Sequence, residues 1–258
     1  MGLISQVYHN GGTLQDFLTF WLLFSLPLVY FFRSYFVFLI YAIFSVGLGV
    51  STIGENTLVQ SWLIPFAIVP YFILQLRNQP SENKTIVSAW VLTLGFGGLL
   101  FSNFWEVYGF LLVLMTTLAS MFYLVGKYFH GNETSILKQP MQLLSYLTVI
   151  FLSFLLTFLA VTKELMDEMV DDYFIKDFEA SDLYYTVFLV FFIAIAGYFL
   201  FKLLQKDLKV NWFVVLSPLL FLIMLFLNED TALFVVGMFV VFLFVFALFM
   251  VFRGINQK

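Results

Sequence analysis

The chain has 258 residues, of which 62% are hydrophobic and 11% charged, with a mean hydropathy of +0.99 and a net charge of −4. A soluble domain is nearer half apolar and a quarter charged, and so few charges do not cover a water-facing surface of this size. The absence of cysteine excludes disulfides, thiol catalysis and Cys-ligated metals; the two histidines, His9 and His130, lie far apart, and the acidic balance argues against a nucleic-acid partner.

The apolar residues come in uncharged runs, which makes lipid the expected solvent and an all-α, polytopic membrane bundle the expected fold. Residues 1–16 precede the first run. They lack the basic stretch of a secretory leader, and Gln6 stands where a myristoylation motif wants Ser or Thr. Gln6, Tyr8, His9 and Asn10 form a polar group before Gly11-Gly12. Such a group caps a helix and turns the chain, or it lines the mouth of a site where histidine titrates near neutrality.

Nine spans follow, each needing about 20 apolar residues: Phe17–Phe32, Tyr35–Ile53, Leu58–Leu76, Ile86–Phe101, Val107–Gly126, Leu143–Thr162, Leu183–Phe201, Trp212–Leu227 and Thr231–Phe252. Pro27 falls in the first, Pro65 and Pro70 in the third, and Pro218 in the eighth, with Gly95, Gly97 and Gly98 in the fourth. Breakers of this kind build substrate sites in transporters, and they also serve plain helix packing. No Asp, Glu, Lys, Arg or His lies inside any of the nine runs, which weakens a proton- or sodium-coupled mechanism.

The ten segments that flank or join the runs carry net charges of −1, +1, −1, +1, −1, +1, −6, +2, −2 and +2 in order. The sign alternates throughout, and ten of the twelve basic residues share one side. Lys- and Arg-rich short loops stay in the cytoplasm, so the expectation is an outer N-terminus and an inner C-terminus. The −6 segment, residues 163–182, sets Leu165, Met166, Met169, Val170, Tyr173 and Phe174 at helical spacing opposite Glu164, Asp167, Glu168, Asp171 and Asp172. That pattern fits an amphipathic helix on the outer surface, or an extension of the sixth span, with a solvated acidic face or a partner-docking one. It contains no calcium-loop spacing, so no metal site is expected. With no soluble domain or repeat visible, residues 1–258 read as one membrane domain.

The stretch from Ile4 to Ser34 carries Gln6, Tyr8, His9, Gly12, Trp21, Leu26, Pro27, Arg33 and Ser34 in a pattern of Gln-x-Tyr-His, a Gly-containing loop, then a helix with Trp, Leu-Pro and terminal Arg-Ser. It resembles a bacterial group of predicted membrane proteins, domain of unknown function 2157. The resemblance implies a multi-pass protein of the bacterial cytoplasmic membrane, and it marks Gln6, Tyr8, His9, Trp21 and Arg33 as candidate ligand or partner residues. The family's soluble region and first helices are missing here, so the chain looks N-terminally truncated. The family brings no activity and no cofactor.

Three functions are weighed from these residues. A structural or accessory component, working in the bilayer with a membrane-protein partner, suits the lack of reactive groups. A small-molecule transporter or channel would need a polar track from side chains such as Ser25, Thr93, Thr116 and Thr117. An enzyme on lipid-linked substrates would want Arg or His in the large outer loop to hold phosphate, and residues 163–182 have neither.

Overall fold

The computed structural model describes residues 14–51, 63–104, 108–130, 136–158, 162–163, 180–206, 208, 210–224 and 231–255. These are helical with short connections, and no strand occurs among them. In chain order the helices are α1 (Leu14–Phe32), α2 (Tyr35–Ser51), α3 (Ile64–Phe66), α4 (Val69–Asn78), α5 (Asn83–Phe104), α6 (Tyr108–His130), α7 (Pro140–Leu155), α8 (Ala180–Gln205), α9 (Trp212–Met224) and α10 (Ala232–Ile255). A single 3-10 turn, Ile136–Lys138, precedes α7. Each of the nine apolar runs therefore contains helix among its described residues. Five helices (α1, α5, α6, α8 and α10) are long and apolar enough to cross a membrane. At 1.5 Å per residue, the 22 residues of α5 reach about 33 Å, the thickness of a hydrocarbon core.

The helices group into two compact units. The first holds α1 to α5 and the 3-10 turn. Its α1 and α2 form an antiparallel pair joined at Arg33, whose backbone is left-handed (φ 50°) and whose N–H donates to the Val29 carbonyl at 3.1 Å. A left-handed residue here ends α1 and reverses the chain, a task usually given to glycine. Leu22 and Val29 of α1 and Phe38, Tyr41 and Leu48 of α2 are buried in the unit's core. Gly95 of α5 lies against α2: a Cβ there would stand 2.6 Å from Val46 Cγ2. Gly95 thus permits close packing, and α5 is continuous through Gly95, Gly97 and Gly98.

The third run does not form one continuous helix. Pro70 has no N–H to offer the Phe66 carbonyl, and its ring crowds that carbonyl. The helix accordingly divides into α3 and α4, with Ala67 and Ile68 as a turn between them. α4 then ends at Gln79, whose N–H returns to the Gln75 carbonyl at 2.9 Å.

The second unit is built on α6, which packs most extensively against α8 and α9. Of the α6 span 78% is buried, against 11% of the α8 span. One core cluster joins Val113, Leu156, Phe221, Met224, Val235 and Phe239; another joins Ala119, Tyr123, Leu124, Val149, Leu203 and Val214. Gly126 sets the distance between α6 and α7, because a Cβ there would meet Met141 Cβ at 2.9 Å and the Gln142 backbone nitrogen at 3.3 Å. In the sixth run the helix α7 reaches Leu155. Thr157 and Phe158 donate to carbonyls three residues back, and the Thr162 hydroxyl closes on the Leu156 carbonyl at 2.9 Å. This tightening interrupts the helix over residues 156–158, and Thr162 and Lys163 are helical again, with the Thr162 N–H donating to the Phe158 carbonyl at 3.0 Å. Bare apolar faces clothe the outside of both units, including Phe24 and Phe31 on α1, Val190 and Phe201 on α8, and Phe234 and Phe244 on α10.

Candidate functional site

Polar chemistry inside the first unit gathers at the α3–α4 break. Its loosened carbonyls are answered by two tyrosines from neighbouring helices. Tyr41 Oη of α2 donates to the Ile64 carbonyl at 2.9 Å, and Tyr30 Oη of α1 donates to the Ala67 carbonyl at 2.6 Å. Tyr41 is fully buried, while Tyr30 keeps an exposed edge. Tyr71 of α4 meets the Tyr30 ring edge-on at 5.9 Å and the Phe38 ring at 5.4 Å, fixing the hydroxyls over the break. One turn further along α4, the side-chain oxygen of Gln75 has no hydrogen-bond partner. The break is thus a joint whose Ile64 and Ala67 carbonyls are held by tyrosine donors.

The second unit answers a proline differently. Pro218 lies inside α9 and cannot donate to the Val214 carbonyl four residues earlier. Ser120 Oγ of α6 donates to that carbonyl at 2.5 Å and approaches the Val215 carbonyl at 3.2 Å, while Ser217 Oγ adds a bond at 2.8 Å. α9 stays continuous. Its start is set by Asn211, whose Oδ1 accepts the Phe213 N–H at 3.1 Å as an N-cap. The Asn211 N–H donates to Tyr123 Oη at 2.7 Å and its Nδ2 to Tyr146 Oη at 3.2 Å, with the two rings edge-on at 5.5 Å. Beside this polar seam runs an apolar groove of about 250 Å3 between α6, α8 and α9.

Elsewhere the hydroxyls turn inward on their own helices. Ser25 donates to the Leu22 carbonyl, Thr93 to Ala89, Thr116 to Leu112 and Thr117 to Val113, at 2.6–3.1 Å. All four residues are buried. Their protons are thus committed to local backbone, although their lone pairs are not. Two further buried atoms without a hydrogen bond, Gln142 Nε2 and Ser153 Oγ, sit near opposite ends of α7 and do not converge. No group of three or more His, Cys, Asp or Glu able to hold a metal occurs among the described residues.

Of the sequence candidates, Trp21 and Arg33 are described. Trp21 is partly exposed on α1 and meets Phe44 edge-on at 5.4 Å; Arg33 is exposed at the α1–α2 turn. Twelve residues of helix separate them by about 18 Å, so they do not share a site. Gln6, Tyr8 and His9, and the acidic set Glu164, Asp167, Glu168, Asp171 and Asp172, lie outside the described residues. Sequence reading missed Ser120, Tyr123 and Asn211, as well as Tyr30 and Tyr41. It also set His130 in a connecting segment, whereas α6 extends to it and buries it. Pro218 was the available signal for Ser120, since a proline four residues after a carbonyl requires a donor from elsewhere. No protein-family model, curated protein or solved structure matches this chain.

Proposed function

We propose that this protein is a structural or accessory component of the bacterial cytoplasmic membrane, working with a membrane-protein partner, and that it is a member of the group its N-terminal pattern resembles. The reading includes nine crossings, an outer N-terminus and an inner C-terminus. One observation carries it: the buried hydroxyls of Tyr41, Ser120 and Tyr123 are spent on holding helices, while α1, α8 and α10 turn wide apolar faces outward. Long faces of this kind suit lipid and a helical partner together. Topology is supported by the alternation of loop charge.

The test is native mass spectrometry of the protein expressed from its own locus and extracted in mild detergent. A stoichiometric membrane subunit is expected. A lone chain that moves a solute at full rate in liposomes overturns the reading. Because these 258 residues include no cysteine, single-cysteine labelling reads topology directly: Lys138→Cys should react only after permeabilisation, and Glu168→Cys in intact cells.

Transport is the second reading, and the α3–α4 break favours it, because interrupted helices line sites in many carriers. It requires the joint to open. Tyr41→Phe should then change transport more than stability.

A further inference from the structure

The groove between α6, α8 and α9 has the shape and lining of a hydrocarbon site. Val113, Thr117, Ser120 and Leu124 form its α6 wall, and Gly197 and Leu200 belong to its α8 wall. The two hydroxyls give their protons to backbone carbonyls, so the groove presents almost nothing that would order a polar ligand. Gly197 keeps the groove open, since a Cβ built there meets nothing within 4 Å. From Leu189 to Leu200 the α8 wall is about 16 Å long. A slot of this length, open on a helix that is itself largely exposed, faces acyl chains when the protein is in a bilayer.

One end of the groove is not apolar. At the C-terminal end of α8, Lys206 places Nζ 3.9 Å from the centre of the Tyr128 ring. Tyr128 follows Leu124 by one turn on the same face of α6. The ammonium is thus held at the groove mouth by a cation–π contact while the lysine stays exposed. Lys202, by contrast, follows Leu200 by about 200° of helix rotation and lies over Tyr198 at 5.9 Å, away from the groove.

We propose that this groove binds one anionic phospholipid, with an acyl chain along α6, α8 and α9 and its phosphate at Lys206. The inference depends neither on the accessory reading nor on which leaflet the site faces. It is tested on the full chain in neutral detergent, by native mass spectrometry with added phosphatidylglycerol or phosphatidylcholine of the same acyl chains.

One phosphatidylglycerol should be retained in preference to phosphatidylcholine. Lys206→Gln should cut that retention about five-fold, in line with roughly 1 kcal/mol per lysine near a charged headgroup, and Lys202→Gln should leave it unchanged. Gly197→Leu should abolish retention of both lipids at an unchanged or raised melting temperature, because the new side chain enters empty space and favours helix. Equal retention of the two lipids, unaltered by Lys206→Gln, overturns the proposal and leaves only a general lipid annulus. It is also overturned if Gly197→Leu releases a protein subunit, or a second copy, while lipid retention stays the same.

Discussion

The α3–α4 region and α9 both have proline within an apolar run, yet one divides and the other does not. In the first, Pro70 follows a helix of only three residues, and the donors arrive as tyrosine hydroxyls from two different helices. They reach the Ile64 and Ala67 carbonyls, on either side of the residue four before Pro70. In α9 the orphaned Val214 carbonyl itself is met by Ser120 and Ser217, so the turns before and after Pro218 remain in register. The difference teaches that proline sets a demand for a donor, and that the place where the donor lands decides between a joint and a continuous rod. In lipid the demand is sharper, since water is absent to meet it.

Changes that break or sharpen this contrast rank by expected size. The largest belongs to the scaffold that delivers Ser120. Gly126→Ala drives a methyl into Met141 and the Gln142 backbone, so α6 must shift from α7 at a cost of about 1–3 kcal/mol in reversible unfolding from micelles. Next is Ser120→Ala, which strips the Val214 carbonyl of its α6 donor and should cost about 1–2 kcal/mol. In a Pro218→Ala background the restored N–H supplies that carbonyl, so the same serine change should cost clearly less. A double-mutant cycle with no coupling would sink the donor argument.

Tyr41→Phe comes third, at roughly 0.6–1.7 kcal/mol, the range measured for hydrogen bonds between membrane helices. Hydrogen exchange at the α3–α4 turn should rise with it. Tyr30→Phe should do less, because its hydroxyl has an exposed edge. The smallest change is of opposite sign: Arg33→Gly relieves a left-handed residue and should stabilise by up to about 1 kcal/mol. A loss of stability there would mean that the guanidinium contributes more than its backbone costs.

Hydropathy located every helix, because an uncharged run of the right length has few other ways to satisfy its backbone in lipid. It placed α1 and α10 to within a few residues, and the prolines flagged the split of the third run. It did not separate Pro70, which divides a helix, from Pro27 and Pro218, which lie inside continuous ones. That distinction rests on contacts made across the fold: Ser120 meets Val214 over 94 residues of sequence, and Tyr123 meets Asn211 over 88. No local window contains both partners. The end of α7 was missed for a related reason, since Thr157 and Thr162 suit an apolar run while their hydroxyls compete for the carbonyls that would continue the helix. The candidate site was legible only as residue types. Trp21 and Arg33 are adjacent members of one pattern in sequence and stand at separate levels of one helix.

The inward-turned hydroxyls also bear on how the chain is made. A segment such as α5 has its Thr93 and Ser88 hydroxyls already bonded to its own turns when it leaves the insertion machinery. It can rest in the bilayer alone, before any neighbour has been synthesised. α9 is placed otherwise, for its Val214 carbonyl draws on a serine from a helix synthesised long before it. α9 gains that α6 donor only by docking, beside the one that its own Ser217 supplies. The final stages of assembly should accordingly be concerted, and a ribosome stalled before α9 should leave α6 in the membrane with Ser120 still uncommitted.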